Sequence, residues 1–286
     1  MATVKNPNGR WPNEARGAIS VTFDNMGEAA ELELGMWDPN RPIGSHRSVT
    51  TVLPETLRLL DRLDMRATFF VEAWNVEVYP EAIKKIADAG HEIGFHGWRH
   101  ETWSNLDRPS ESSLFRRGKE ALRQLGVELV GFRPPGGKLT GATLSLMKEN
   151  GFKYCSPAGS DAAAVQGTAI LPFAWHWIDA YYYFEPFAEM RKQRGDSESL
   201  LPPSHLRDKM TSCVDGPLSR GGYTAILFHP FLEDDPQRFS AMTEVLEHIK
   251  RTDKLWCAPC GEVADWVLAN PESFAGDPGF DTAGWR

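Results

Sequence analysis

The 286-residue sequence contains only four cysteines and no long apolar run. Four cysteines are too few for a disulfide framework in a chain of this length. No stretch approaches the roughly 20 consecutive apolar residues that a membrane-spanning helix needs. No cluster of lysine and arginine opposes the formal net charge of −8, so nucleic acid and anionic membranes are disfavoured as partners.

The first residues also lack the apolar segment and the small-residue cleavage site of a secretory signal peptide. As written, the sequence therefore predicts a cytoplasmic protein. Its length suits one large α/β domain or two small ones, and no repeat, low-complexity tract or obvious linker divides it. We expect one domain over residues 1–286, and homo-oligomer formation stays open at this stage.

Cys257 and Cys260 form a C-x-x-C pair ahead of a predicted helix. Two cysteines cannot close a zinc site, and the sequence has no second pair. A redox pair would need a helix start that lowers the thiol pKa. The favoured interpretation is two unrelated small apolar residues, with the redox pair as the alternative.

Short apolar runs alternate with amphipathic helical patterns along the chain. The runs predict strands at residues 18–23, 67–71, 92–95, 127–132, 152–156, 170–173 and 225–228. Helices are predicted at residues 54–65, 80–89, 110–124, 140–150, 236–251 and 262–269. This alternation predicts a mostly parallel sheet covered by helices. Two long segments interrupt it, 25–50 and 179–222, and we expect the second to be a lid-like insertion.

Polar clusters directly follow four of the predicted strands, where the active site of an α/β protein is expected. They contain Asp24 and Asn25, His96 and His100, Arg133 with the run R-P-P-G-G, and His229.

His96 and His100 are four residues apart, and on a helical turn both imidazoles would lie on one face. Neutral imidazoles suit zinc and similar metals. With a third ligand and an open water position they would make a hydrolytic site. The alternative is a solvated pair of surface histidines.

The other positions each have a catalytic and a structural interpretation. Asp24 can be a general base or a loop cap for backbone N–H groups. Arg133 can keep a neighbouring carboxylate ionised or form a surface salt bridge. His229, taken alone, is favoured as a core histidine bonded to the backbone.

Five motifs, taken in order, resemble the polysaccharide deacetylase family, also called carbohydrate esterase family 4 or the NodB-homology domain. They are ISVTFDN, RATFFVEAWN, GHEIGFHGWRH, GFRPPGG and ILFHP, all within residues 17–270. The resemblance implies an α/β fold, an irregular (β/α) barrel of about seven strands. It also implies a metal-dependent hydrolase of C–N bonds other than peptide bonds.

The resemblance assigns roles position by position. Asp24 matches the catalytic base, Arg133 the arginine that orients it, and His229 the general acid. His96 and His100 match metal ligands. The implied cofactor is a divalent cation, zinc first, with cobalt, manganese and nickel as alternatives. Candidates for substrate binding are Trp98, Pro135, Gly136, Trp177 and Asp179, the last two from WHWIDA, the nearest match to the family's fourth motif.

Two positions depart from the family pattern. Asn25 stands where the family has an acidic metal ligand, and an uncharged amide oxygen should bind metal more weakly. Glu28 or Asp24 itself could complete the site instead, and the sequence does not choose among them. Gly136 replaces an aromatic residue, which leaves the shape of the substrate groove open.

The R-P-P-G-G form and the absent signal peptide look more like the intracellular branch of the family, which includes enzymes that open small cyclic amides. The expected substrate is therefore an N-acetylated sugar or a small cyclic amide or imide. The alternative function is that of a metal-poor family member that binds a carbohydrate or metabolite without hydrolysing it.

Overall fold

Ten β-strands form one sheet in the computed structural model, which describes residues 9–281 except for the side chain of Leu218. In chain order they are β1 (Gly17–Asp24), β2 (Thr68–Val71), β3 (Glu92–Phe95), β4 (Gly131–Phe132), β5 (Tyr154–Cys155), β6 (Ala163–Val165), β7 (Thr168–Ile170), β8 (Phe173–Ile178), β9 (Tyr223–Phe228) and β10 (Leu255–Cys257). Only the β6–β7 hairpin is antiparallel among these pairs.

Seven of the strands close into a ring. Six neighbouring pairs run in the order β5-β4-β3-β2-β1-β9-β8. The ring is completed by a parallel bridge between Phe173 in β8 and Ala158, which follows β5. At this bridge the Phe173 amide donates to the Pro157 carbonyl at 3.0 Å, and the Gly159 amide donates to the Phe173 carbonyl at 2.9 Å. The predicted irregular barrel is therefore confirmed, with the β6–β7 hairpin and β10 lying outside the ring.

Strand β1 is the centre of the sheet, and all eight of its residues are buried. One of its edges pairs with β9 along most of its length, while β10 and β2 share the other edge. A strand that is covered on both faces and paired on both edges is mostly apolar, and the hydroxyls of Ser20 and Thr22 in GAISVTFD donate to backbone carbonyls. Asp24, the last residue, is the only charged one in the strand, which delivers its carboxylate to the carboxyl end of the ring.

Helices cover the outside of the ring. In residues 9–281 they are α1 (Ala29–Glu33), α2 (Leu53–Arg62), α3 (Asn75–Val78), α4 (Pro80–Asp88), α5 (Arg108–Arg123), α6 (Thr143–Glu149), α7 (Asp179–Tyr183), α8 (Ala188–Gln193), α9 (Pro203–Arg220), α10 (Pro236–Arg251) and α11 (Cys260–Ala269). Side-chain caps fix two of the starts: Asp107 accepts from the Ser110 amide before α5, and Asp235 accepts from the Gln237 amide before α10. No helix described here is both long and apolar enough to span a bilayer.

The two predicted long loops contain more regular structure than expected. The segment 25–50 contains α1 and the start of a π-helical turn, Ser48–Val52, that leads into α2. The segment 179–222 contains α7, α8 and α9. The sequence hid α9 because Pro217 lies inside it, and the helix ends at Gly221 with φ of 70°.

Candidate active site

Four polar residues follow the carboxyl ends of neighbouring strands in the ring. Asp24 ends β1, and His96, Arg133 and His229 come directly after β3, β4 and β9. Parallel strands that lie side by side bring such residues to the same end of the barrel. All four line one cavity.

Arg133 is the most deeply buried charge of the group, with no solvent exposure. Its Nη1 donates to Asp24 Oδ1 and to Thr22 Oγ1, both at 2.9 Å. Its Nη2 donates to Ser156 Oγ at 2.9 Å. The guanidinium carbon also lies 4.1 Å from the ring centroid of Phe70. Arg133 therefore forms a buried ion pair, and the surface salt bridge considered from the sequence is wrong.

The Asp24 carboxylate is only 2% exposed. Burial raises the pKa of Asp24 above its ordinary value, while the Arg133 charge and hydrogen bond lower it. The net direction is upward, so Asp24 is a somewhat stronger base than an exposed aspartate. Arg133 occupies Oδ1, and Oδ2 lies 3.6 Å from His96 Nε2.

The segment from His96 to His100 is not helical, so the predicted helical turn is wrong. Gly97 and His100 both have left-handed backbone conformations, with φ of 78° and 74°, which turn the chain back on itself. This bend nevertheless brings the two imidazoles together, with ring centroids 5.0 Å apart. The two imidazoles approach each other as expected, but by a different local conformation.

His96 has a defined tautomer because its Nδ1 lies 2.8 Å from the Arg133 carbonyl oxygen, which can only accept. Nδ1 therefore carries the hydrogen, and Nε2 presents a lone pair. Burial lowers the pKa of His96 to about 3 and that of His100 well below its ordinary value. Both rings are neutral, as ligand imidazoles must be.

His229 is held by Asp179, the first residue of α7. His229 Nδ1 lies 2.5 Å from Asp179 Oδ1, and the His229 backbone amide donates to Asp179 Oδ2, also at 2.5 Å. Burial lowers the pKa of the His229 imidazole to about 4. The expected bond of His229 to backbone is absent from these contacts, and a buried carboxylate orients the ring instead.

Glu233 lies next to the Asp179 carboxylate of this pair and is 2% exposed. No N–H group of the described residues donates to its carboxyl oxygens. Burial and the neighbouring Asp179 carboxylate raise the pKa of Glu233 well above its usual range. We assign the proton of this pair to Glu233, because Asp179 already accepts hydrogen bonds from three N–H groups of His229 and Ala180.

The cavity shared by these groups has a volume of about 800 Å³, including its opening to solvent. Asn25, next to Asp24, lines it with a backbone φ of 56°. From the predicted insertion, Ala180, Phe184 and Phe187 contribute to the wall.

The second glycine of the R-P-P-G-G run has a packing role. Gly137 has a φ of 76°, and a Cβ placed there would lie 3.0 Å from Phe173 Cζ and 3.2 Å from Trp175 Cζ2. A side chain at this position would push both rings away. Glycine therefore lets β8 bring Trp175 against the turn that carries Arg133. Gly136 also lines the cavity, with a φ of 75°.

Five of the residues proposed from the sequence lie outside the cavity lining. The Glu28 carboxylate accepts hydrogen bonds from the Tyr79 hydroxyl and the Gly44 amide, so its oxygens are bonded to groups outside the cavity lining. Trp98 lies under the Arg117 guanidinium, 3.3 Å from its ring centroid. Trp177, Pro135 and Asp179 are also absent from the lining, although Asp179 is bonded to His229, which does line the cavity.

The donor chemistry fits a weak divalent-cation site. Residues 9–281 contain no group of three or more His, Cys, Asp or Glu side chains arranged to hold an ion. Two neutral imidazoles, His96 and His100, share the cavity with the Asn25 amide. These three residues could hold a cation as a two-imidazole, one-amide set, with the carboxylate of Asp24 close by.

Cys257 and Cys260 are free. Burial raises the pKa of the Cys257 thiol to about 12 and that of Cys260 to about 11. Neither is a reactive thiolate at neutral pH, which agrees with the favoured interpretation of two small apolar residues.

Three residues of the site were not predicted from the sequence. They are Trp175 in the cavity wall, Ser156 beside Arg133, and Glu233 beside Asp179. Ser156 directly follows β5, and its position at a strand end was a usable signal. Trp175 lies two residues before Trp177 in the same aromatic run, and nothing in that run distinguishes the two. Glu233 is four residues after His229, and its contact with Asp179 depends on how α7 and the chain after β9 meet.

A profile described as Polysaccharide deacetylase matches residues 12–155, half of the chain. The chain belongs to the polysaccharide deacetylase family. The match to this family includes Asp24, His96 and Arg133 and ends before His229. A peptidoglycan deacetylase of Helicobacter pylori is 31% identical over 103 residues, which are 36% of this chain and 35% of that protein. The chain spans about a third to a half of the length of the first curated relatives it matches.

Solved structures extend the likeness over nearly the whole chain. A candidate polysaccharide deacetylase of Mycobacterium smegmatis is 29% identical with a TM-score of 0.79, covering 95% of this chain and 96% of that one. The allantoinase Puue is 20% identical with a TM-score of 0.74, covering 93% and 96%. At that identity the allantoinase shows the common fold.

Proposed function

We propose that this protein is a metal-dependent hydrolase that cleaves a non-peptide C–N bond of an amide. One observation carries the proposal. Asp24, held by Arg133, and His229, held by Asp179, line the same cavity as the imidazoles of His96 and His100. A base, an acid and two neutral nitrogen ligands in one cavity are the groups that amide hydrolysis requires.

Asp24 is the general base of the proposed reaction. It takes a proton from a water molecule while the water oxygen forms a bond to the amide carbonyl carbon. The raised pKa of Asp24 favours this proton transfer. The bond from Arg133 fixes Oδ1, so Oδ2 is the atom that receives the proton.

His229 is the general acid. Its Nδ1–H is directed to Asp179, so Nε2 is the nitrogen that serves the substrate. The resting ring is neutral because burial lowers its pKa to about 4. The proton that Asp24 has taken from the water is then passed to His229 Nε2, as negative charge develops on the substrate. His229 then gives it to the leaving nitrogen as the C–N bond breaks.

A divalent cation bound by His96, His100 and Asn25 would polarise the amide carbonyl and make the attacking water more acidic. Zinc is the first choice for two imidazoles, with cobalt, manganese and nickel as alternatives. The proposed substrate is an N-acetylated sugar, as for the relative named a peptidoglycan deacetylase, or a small cyclic amide or imide. A second candidate, binding without hydrolysis, is favoured by Asn25 and by the lack, within residues 9–281, of a third His, Cys, Asp or Glu arranged with the two imidazoles to hold an ion.

A hydrolysis screen tests the proposed function. The protein is assayed on N-acetylated sugars and on cyclic imides and ureides, with zinc, cobalt, manganese or nickel and with a chelator. We expect hydrolysis of at least one amide with metal and its loss with the chelator. Metal binding without hydrolysis of any amide would instead support the binding protein.

Asn25→Asp should tighten zinc binding by about tenfold or more, or ~1.4 kcal/mol, because a carboxylate adds negative charge at the cation. Calorimetric titration with zinc measures the change. Glu28→Gln is the matched control and should leave the zinc affinity unchanged, since Tyr79 and Gly44 hold the Glu28 carboxylate. An unchanged affinity in Asn25→Asp would show that residue 25 does not reach the cation.

A further inference from the structure

The bend from His96 to His100 contains one strained residue, because His100 has a φ of 74°. A residue other than glycine rarely takes this left-handed conformation, and such strain persists only where the surrounding structure enforces it. Gly97, with a φ of 78°, takes the same region without a side-chain clash. His100 is therefore the position of the bend that needs support.

The carboxylate of Glu101, the next residue, reaches back across the bend. Its Oε2 accepts a hydrogen bond from the Trp98 amide at 2.9 Å, and its Oε1 accepts one from the Arg99 amide at 3.0 Å. Two successive amides that converge on one carboxylate form an anion nest, which fixes the peptide units that carry them. A Cβ at Gly97 would lie 2.7 Å from Glu101 Oε2, so the carboxylate occupies the space that this glycine leaves open.

Backbone contacts hold the other side of the bend. The carbonyl groups of Gly97 and Trp98 accept from the amides of Ala73 and Trp74, each at 3.0 Å. These bonds join the bend to the chain that follows β2. They use the carbonyls of the bend, whereas Glu101 binds its amides.

The two histidines at the ends of the bend are fixed in different ways. The His96 amide donates to the Val71 carbonyl at 3.0 Å, and the His96 ring lies 2.8 Å from the Arg133 carbonyl oxygen. His96 is therefore held by the barrel itself. His100 lies beyond the bend, so the conformation of the bend decides where the His100 ring lies relative to the His96 ring.

We propose that Glu101 is a positioning residue for the cation site, whose carboxylate holds the bend that brings the His100 ring to the His96 ring. Glu101 lies outside the cavity lining and acts through the backbone. Two imidazoles bind one cation tightly when other groups orient both of them in advance. The inference rests on the cation site of the proposed function and adds a residue that supports it.

Zinc titration of Glu101→Ala by calorimetry is the first test. We expect the affinity for zinc to fall by about 10–100-fold, the usual effect of removing a group that orients metal ligands. Glu101→Gln is the milder second variant, because its amide oxygen can still accept from one of the two backbone amides, and its loss of affinity should be smaller. Urea unfolding checks that both variants are folded.

Glu33→Gln is the matched control. Glu33 is also a carboxylate bonded to this bend, but it meets the Arg99 guanidinium at the surface, where the two side chains are 33% and 39% exposed. An exposed pair contributes little. The affinity of Glu33→Gln for zinc should therefore stay within about twofold of the wild type.

A measurement on the metal-free protein separates geometry from charge. Nuclear Overhauser contacts between the ring protons of His96 and His100 report the approach of the two rings, whose centroids lie 5.0 Å apart. Glu101→Ala should weaken these contacts, and Glu33→Gln should keep them. Retained contacts together with weaker zinc binding in Glu101→Ala would assign the effect to charge and overturn the positioning role.

Two further results would overturn the inference. One is an unchanged affinity for zinc in Glu101→Ala. The other needs no variant, and it is fast hydrogen exchange at the Trp98 and Arg99 amides of the wild-type protein, since amides held by Glu101 should exchange slowly.

The proposed function can fail separately from this inference. A wild-type protein that binds no zinc, with ring contacts that are lost in Glu101→Ala, would reject the cation site and leave the positioning role standing. Zinc-dependent amide hydrolysis by the wild type, with equal zinc affinity in Glu101→Ala, would do the reverse.

Discussion

Asp24→Asn should lower kcat by about 10²–10⁴-fold, because asparagine cannot take a proton from water. The side chain keeps its shape, and its oxygen can still accept from Arg133 Nη1, which lies 2.9 Å from Asp24 Oδ1. The overall fold should therefore be unchanged by circular dichroism. Steady-state kinetics on any amide found by the hydrolysis screen measures the effect.

Asp265→Asn provides the control for this change. Asp265 lies on α11, is 62% exposed and pairs with Lys153 at the surface, so its loss should alter kcat by less than about twofold. Metal content is measured alongside for both variants. Full activity in Asp24→Asn would remove Asp24 from the mechanism. Loss of metal together with activity would identify it as a ligand rather than the base.

Arg133→Leu should destabilise the protein by about 3–5 kcal/mol, since it leaves a buried carboxylate without its positive partner. The side chains of Arg133 and Asp24 are 0% and 2% exposed. Ser156 and Thr22 also lose the N–H groups that reach their hydroxyls. Urea unfolding measures the change in the free energy of unfolding.

A double-mutant cycle separates the ion pair from the packing of Arg133. In an Asp24→Asn background the same Arg133→Leu change should cost less, because the carboxylate is no longer charged. Arg123→Leu is the control, as its pair with Glu120 is 73% and 57% exposed and should contribute under about 1 kcal/mol. A cost below about 1 kcal/mol for Arg133→Leu would show that Asp24 is neutral in the folded protein.

The strands of the ring were largely predictable because burial on both faces leaves a plain apolar signature. The run 18–23 predicted β1 to within a residue or two of its ends, and 225–228 predicted the end of β9. The predicted strand 170–173 has wrong bounds, because it joins the last residue of β7 to the first residue of β8, and the rest of β8 was not predicted. The short strands β6 and β10 were not predicted either, since three residues are too few to show a pattern. Strand β10 pairs with β1, which is distant in sequence, whereas β6 pairs with the adjacent β7.

The sequence predicted that the site residues lie close together, because they follow the ends of predicted strands. It did not predict their backbone conformations. The H-x-x-x-H spacing suggested a helical turn, yet Gly97 and His100 take positive φ values that no periodicity reveals. The Asn25 departure was visible because it occupies a motif position. The proximity of Glu233 to Asp179, and the buried Trp175 N–H without a hydrogen-bond partner among the described residues, arise only when separate segments are packed together.

The closing bridge of the ring limits how substrate preference can diverge among relatives of this protein. Strand β8 carries Phe173 and Trp175 into the cavity and also supplies the backbone bonds that join it to Pro157 and Gly159. An insertion or deletion in this strand would break the backbone bonds that close the barrel and would also displace the cavity wall. Exchange of one side chain leaves the backbone bonds intact. Selection for new substrates should therefore act here through substitutions at single positions, and changes in length should accumulate in segments outside the ring.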